Sequence, residues 1–336
     1  MKAALLNNRY RILETLGRGG FGETYLAEDT HMPSGRKCVI KQLKPVVQQS
    51  RIPLWMKERF QREAAILEEL GAGNEQIPQL YAYFSEKDKF YLVQEWVEGQ
   101  TLAEKWTSIG NLKAEQVSGI LVQLLPVLAY VHEKRIVHRD IKPENIILRD
   151  RDLLPVLIDF GAVKEAMTTV VNHDSNSMLS ASIGTPGYMP SEQAAGRPLY
   201  SSDLYSLGLT AIFLLTGKSP QELQTDPRTG EIVWHEYAPN LDDRLKTILD
   251  RSIRFHPRDR FATAKEMLLA LESATPVTRL TSATMRVAPA NLSSYSNNIS
   301  RSNQNHTVVY DDNPTSQKSN WFVKVFLSLF IATGLS

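Results

Sequence analysis

Two periods divide the chain. Up to about residue 95 the apolar positions mostly alternate with polar ones, and beyond residue 100 they recur every three or four positions. Residues 10–43 read as a strand meander: 10–16 run into a glycine cluster, 24–27 follow it, and a turn at Pro33-Ser34-Gly35 leads to Cys38-Val39-Ile40. Residues 54–70 switch to helical spacing through Trp55, Phe60, Ala64, Leu67 and Leu70, with Gly71 as the expected stop. Strands are predicted again at 80–84 and 90–94, which makes the first portion a small sheet carrying one helix.

The second portion is mainly helical. Over 113–134, Val117, Ile120, Leu121, Leu124, Leu125, Leu128 and Val131 form one broad apolar face. Pro126 removes one backbone hydrogen bond from that helix, at a cost of about 3 kcal/mol that leucine packing must offset, and a kink is expected there. Further helices are predicted over 203–216, 241–253 and 263–273. From residue 276 to 320 Ser, Asn and Thr dominate, the composition of a disordered linker.

Composition narrows the function classes. A length of 336 residues permits a large core in two lobes or in one domain with appendages. The formal net charge of +1 offers no basic stripe for nucleic acid. Cys38 is the sole cysteine, so no disulfide forms within the chain and the cytoplasm is the natural setting. The opening MKAALLNNRY is too short an apolar run for a signal peptide. Residues 321–336 are almost wholly apolar apart from Lys324, but shorter than the roughly 20 residues a span requires. They read as the start of a truncated transmembrane helix, against the alternative of a short helix docked on the folded domain.

Four motifs carry candidate chemistry. The stretch 137–148 sets His138, Arg139, Asp140, Lys142, Glu144 and Asn145 directly before the apolar Ile146-Ile147-Leu148. Polar groups fixed against a core strand need partners or a task, and the arrangement reads as a catalytic loop. Gly17-Arg18-Gly19-Gly20-Phe21-Gly22 lies between two strands, so it cannot open a dinucleotide-binding helix; it is either a phosphate-covering loop or a plain hairpin. Lys41 closes an apolar strand, with acids on the next helix, Glu58, Glu63, Glu68 and Glu69, as candidate partners. Asp159 closes another strand, and with Asn145 it offers two hard oxygen ligands of the kind Mg²⁺ accepts.

In this order the four motifs resemble the Hanks-type, eukaryotic-like bacterial serine/threonine protein kinases, over about residues 10–271. The resemblance implies an α+β, two-lobed protein kinase fold. A small antiparallel N-lobe with one main helix (1–94) would join a mostly helical C-lobe (98–275) through a hinge at 95–97. It implies ATP bound by Leu16, Gly17, Arg18, Gly19, Gly20, Phe21, Gly22, Thr24, Val39, Lys41, Gln94 (the gatekeeper position), Glu95, Val97 and Ile147. Lys41 would pair with Glu63, Asp140 would deprotonate the substrate hydroxyl, Lys142 would approach the γ-phosphate, and Asn145 and Asp159 would hold Mg²⁺ or Mn²⁺. Arg139, Thr185, Glu192, Asp203 and Arg260 would support the activation segment and catalytic loop, while His138, Phe160, Leu67 and Leu80 would stack as an apolar spine.

Lys142 and Thr185 are the marks of the Ser/Thr rather than the Tyr class, and Arg139 beside Asp140 implies an activation loop open to phosphorylation at Thr168, Thr169, Ser180 or Ser182. The implied partners are proteins bearing Ser or Thr and a second copy for trans-autophosphorylation. The implied location is cytoplasmic, tethered to the inner face of the plasma membrane by the C-terminal segment. Departures from the family pattern are Thr24 and Val39 above the adenine and Ser191 in place of a proline. The rival reading is a pseudokinase, a nucleotide-binding scaffold without transfer. The presence of Lys41, Asp140 and Asp159 weighs against it.

Overall fold

The computed structural model describes residues 5–19, 22–43, 54–87, 89–160 and 187–274, all within one compact unit, Met1–Thr278. Strands β1 (Tyr10–Gly19), β2 (Gly22–Asp29), β3 (Lys37–Leu43), β4 (Leu80–Glu86) and β5 (Lys89–Glu95) form one antiparallel sheet in the order β1-β2-β3-β5-β4. Because cross-strand partners share a face, the register sorts the side chains into two sets. Ala27, Cys38, Ile40, Tyr91 and Val93 bury the outer face, with Tyr10 and a stack of Phe84 on Tyr91 (5.1 Å between ring centres). Burial pushes the Cys38 thiol up to about 11, so it is an inert core residue. The inner face carries Thr24, Val39, Lys41, Leu92 and Gln94, paired as Thr24 with Lys41, Lys41 with Leu92, and Val39 with Gln94.

Helix α1 (Leu54–Gly73) runs two residues beyond the stop expected at Gly71. Gly71 serves close approach instead: a Cβ there would lie 2.6 Å from the carbonyl oxygen of Pro78. Helix α1 contributes Ala64, Leu67 and Leu70 to a core that continues through Phe90, Leu92 and Phe160 into the second lobe.

That lobe begins with β6 (Gly99–Thr101), α2 (Leu102–Ile109) and α3 (Ala114–Glu133). Thr101 and Glu104 cap α2 reciprocally, a capping box. Helix α3 is continuous through Pro126, which lies on its exposed side. By length and apolarity α3 could cross a membrane, yet Val117, Leu121, Leu124, Leu125, Leu128 and Val131 are buried in the core. Strands β7 (Ile146–Arg149) and β8 (Pro155–Leu157) complete a three-stranded sheet in the order β6-β7-β8.

A short helix α4 (Ser191–Ala194) precedes α5 (Tyr200–Thr216), which is buried on nearly every side. Helix α5 starts three residues before the 203–216 predicted from apolar spacing, because its first turn is polar (Ser201, Ser202, Asp203) and buried nonetheless. The hairpin β9 (Gln224–Thr225) and β10 (Ile232–Val233) and helices α6 (Asp243–Ser252) and α7 (Ala264–Ala274) close the lobe. A two-residue strand has no period to read, so the hairpin was invisible in the sequence pattern.

Candidate active site

The stretch from Ile136 to Asn145 has no strand or regular helix until a single 3-10 turn at Pro143–Asn145. Its shape is imposed from below by Asp203, 1% exposed in the first turn of α5. Asp203 Oδ2 accepts from the His138 backbone N–H and Oδ1 from that of Arg139, each at 2.9 Å. His132 Nε2, in the last turn of α3, donates to the same carboxylate at 2.9 Å and stacks on Tyr200 (4.7 Å). A buried charge is tolerable when it receives donors in this way. Arg139 takes a positive φ of 70°, and its carbonyl accepts from Gln193 Nε2 at 2.7 Å.

His138 is fully buried, and burial pushes its imidazole pKa down against the opposing pull of Asp203 and Asp140. Nε2–H donates to the Ile158 carbonyl (3.1 Å), so in the neutral ring Nδ1 is the acceptor, and the Asp140 backbone N–H donates to it at 3.3 Å. One ring thereby ties the loop before Asp140 to the strand end before Asp159. It also packs on Phe160 at 4.5 Å, and Leu67 and Leu80 border the same core.

Asp140 is 5% exposed. Asn145 Nδ2 donates both to its carbonyl (2.7 Å) and to its carboxylate Oδ2 (2.9 Å), and Lys142 Nζ lies 3.8 Å from the same oxygen. Ile146 pairs with Leu157, and the Ile158 N–H donates to the Asn145 carbonyl at 2.9 Å, so antiparallel register sets Asn145 beside the strand end that leads to Asp159. Because the Asn145 amide nitrogen is committed to Asp140, its Oδ1 is the atom left to face a cation. Asn145 Oδ1 and the Asp159 carboxylate are hard oxygens, a donor set that fits Mg²⁺ completed by phosphate oxygens and water. Asp159 has a φ of 63° and forms an ion pair with Lys41 Nζ across the cleft between the lobes.

Above the cleft, β1 and β2 pair from Thr15 with Tyr25 to Gly19 with Gly22, with a register shift between Thr15 and Gly17 at Leu16. The glycine segment thus joins two strands. A Cβ added at Gly17 would meet nothing within 4 Å, and Gly22 holds a φ of 152°, which side chains disfavour. Arg18 is exposed and pairs with Glu23 at 3.9 Å, while Gly20 and Phe21 lie outside the described residues. So do Thr185 and the four candidate phosphorylation sites, and nothing is described of the Glu63 side chain. Glu95 ends β5, buried Val97 follows it, and Ile147 pairs with Thr101 and Val156 in the floor sheet.

Away from the cleft, Arg260 is 2% exposed, and every edge of its guanidinium is used. It donates to Glu192 through Nη1 (2.6 Å) and Nη2 (3.2 Å), and to the Arg254, Phe255 and Ser201 carbonyls at 2.7, 3.0 and 3.4 Å, with Tyr205 under its plane at 4.5 Å. Burial works against the Glu192 charge, but Arg260 and the Ser202 hydroxyl outweigh it and hold the carboxyl below its usual 4.5. A carboxylate depressed on folding adds stability above its unfolded pKa and loses it as pH falls through the folded value. The stability gap between wild type and Glu192→Gln should therefore be widest near neutral pH and narrow below about pH 4.5. Urea unfolding of both proteins at pH 7 and at pH 3.5 measures it.

His132 and Gln193 escaped the sequence reading. Both act on backbone at a distance in the chain, His132 through Asp203 and Gln193 on the Arg139 carbonyl. A histidine in the last turn of an apolar helix and a glutamine in a short one carry no spacing signal of their own.

Comparison with known proteins bears on the whole site. The family model for the protein kinase domain matches residues 10–289. Serine/threonine-protein kinase PknA of Nostoc sp. PCC 7120 is 64% identical over 268 residues, 80% of this chain and 48% of that protein. Serine/threonine-protein kinase C of Synechocystis sp. PCC 6803 is 62% identical over 268 residues, 80% of this chain and 50% of that protein. The chain thus spans about half the length of these curated relatives. Among solved structures, the Mycobacterium tuberculosis PknI kinase domain matches with a TM-score of 0.59 and 24% identity, covering 79% of this chain and 94% of that one, a likeness of fold.

Proposed function

This chain belongs to the protein kinase domain family, and from that premise we propose that it transfers the γ-phosphoryl group of ATP to serine and threonine hydroxyls of proteins. The observation that carries the proposal is the Asp140 carboxylate, fixed between Asn145 and Lys142 on a loop whose backbone is held by Asp203. Transfer of this kind rests on positioning and charge neutralisation more than on covalent chemistry.

Each group has a task in that reading. Asp140 orients the incoming hydroxyl and takes up its proton as the oxygen attacks. Lys142 reaches the transferring phosphoryl group and Lys41 the α- and β-phosphates, while the glycine segment lays backbone N–H groups over them. Asn145 and Asp159 hold Mg²⁺ or Mn²⁺, which when bound supplies neutralisation of the phosphate charge. The Lys41 and Asp159 ion pair supports this reading, since it sets the phosphate-binding lysine beside the metal-binding carboxylate. Lys41→Met should lower kcat/KM for ATP by about 10²–10³-fold, the loss typical of one electrostatic donor removed from a transition state. Steady-state kinetics on the folded variant checks this.

The wider calls are proposals too. Protein substrates and a second copy acting in trans are the partners that fit Ser/Thr transfer. Residues 321–336 are read from their composition as part of a membrane tether, with the kinase domain on the cytoplasmic side. Recovery of the full-length protein in the washed membrane fraction supports the tether, and recovery in the soluble fraction counts against it. Transfer itself is tested by labelled ATP and a generic protein substrate, with Asp140→Asn as the comparison.

A further inference from the structure

One polar side chain buried beneath the catalytic loop is only half used. Gln193, in α4, is 8% exposed. Its Nε2 donates to the Arg139 carbonyl at 2.7 Å, and its Oε1 is buried without a hydrogen-bond partner. A buried acceptor left unmade costs stability, and exchanging the two ends of the amide would set oxygen against oxygen. An apolar side chain of the same length would remove that cost, so what the amide adds is its one bond.

That bond falls on a particular peptide plane. The Arg139–Asp140 peptide leads into the Cα that bears the carboxylate assigned to the substrate hydroxyl. Its carbonyl accepts from Gln193, and its N–H donates to His138 Nδ1 at 3.3 Å, so both sides of the plane are held. The restraint matters because Arg139 has a φ of 70°, a left-handed conformation that costs energy in a residue with a side chain. Asp203 Oδ1 accepts from the Arg139 N–H at 2.9 Å and fixes the peptide before it. Gln193 fixes the one after, where a change of ψ at Arg139 would carry Asp140 with it.

Gln193 is itself presented from a fastened element. Its neighbour Glu192 accepts from Arg260 and from the Ser202 hydroxyl, and the Ser206 hydroxyl donates to the Tyr188 carbonyl at 2.8 Å. Helix α4 and the turn before it are thereby tied to α5.

We propose that Gln193 is a positioning residue for phosphoryl transfer, holding the Arg139–Asp140 peptide so that the Asp140 carboxylate stands where the acceptor hydroxyl arrives. This rests on the reading of Asp140 as the group that orients and deprotonates that hydroxyl. Gln193 touches neither nucleotide nor substrate in that reading, so its effect is confined to the transfer step.

Gln193→Met and Gln193→Leu keep an apolar side chain of similar size without the donor. Each is compared with wild type by steady-state phosphorylation of a generic protein substrate, by calorimetric binding of ADP and by thermal unfolding. In both variants kcat should fall about 10–10²-fold, the scale of a displaced reacting group. ADP affinity should stay within about twofold and Tm within about 3 °C of wild type. A purely packing role would not separate these readouts. A folded variant with kcat within about twofold of wild type would overturn the proposal. So would a loss of turnover that comes in both variants only with a matching loss of stability, which would make Gln193 a residue of the fold. If wild type transfers no more label than Asp140→Asn, the kinase reading fails first, and the positioning role with it.

Discussion

Asp140→Asn should lower kcat for protein phosphorylation by about 10²–10⁴-fold, the span that a positioned general base contributes. The affinity for ATP should stay within about twofold, because Asp140 addresses the acceptor hydroxyl and touches no part of the nucleotide in this reading. The substitution is well suited to separating chemistry from folding. Asn145 Nδ2 donates to the Asp140 carbonyl as well as to its carboxylate, and the substituted side chain keeps an oxygen to accept the second bond. What it loses is basicity and the charge beside Lys142, 3.8 Å away. A variant with unchanged melting temperature, unchanged nucleotide affinity and strongly reduced turnover would meet the expectation on each count.

Asp203→Ala should destabilise the domain by about 3–5 kcal/mol and abolish measurable transfer. Two backbone N–H groups and the His132 ring converge on that one carboxylate, and Asp203, His132 and His138 are all buried. Its removal takes away the acceptor shared by three donors, the His138 and Arg139 amides and the His132 ring. Asp203→Asn keeps an acceptor oxygen but turns the other into a donor facing a donor, so it should fall between wild type and Ala. Chemical unfolding of the three proteins gives the order, and the same samples assayed for transfer show whether activity follows the brace or only the fold.

Much of this arrangement was legible in the chain. Strand and helix periods located both lobes, because Phe90, Leu92 and the α3 leucines bury continuous faces that leave regular spacings. The motif residues Lys41, Asp140, Asn145 and Asp159 stood out because charged or polar groups at the ends of apolar strands need a reason to be there. The contacts between elements were less visible. Gly71 resembled a helix stop and is in fact a point of close approach to Pro78, a property of packing and not of local propensity. The sequence pattern places the start of α5 three residues late because Ser201 and Ser202 are polar and add nothing to the apolar period, although both are buried beside Asp203, which reaches the catalytic loop. His132 and Gln193 show the same limit, since each acts on groups that only the tertiary structure brings near.

The central claim is that the cluster of Asp140, Asn145 and Asp159 moves a phosphoryl group to an aliphatic hydroxyl. Its most direct test is a single-turnover reaction of the purified protein with γ-labelled ATP, Mg²⁺ and a protein substrate, followed by phosphoamino-acid analysis of the labelled product. The account predicts label on phosphoserine and phosphothreonine, lost when the divalent ion is chelated and absent from Asp140→Asn. Bound ATP with no transfer above the Asp140→Asn background, or label confined to phosphotyrosine, would contradict it.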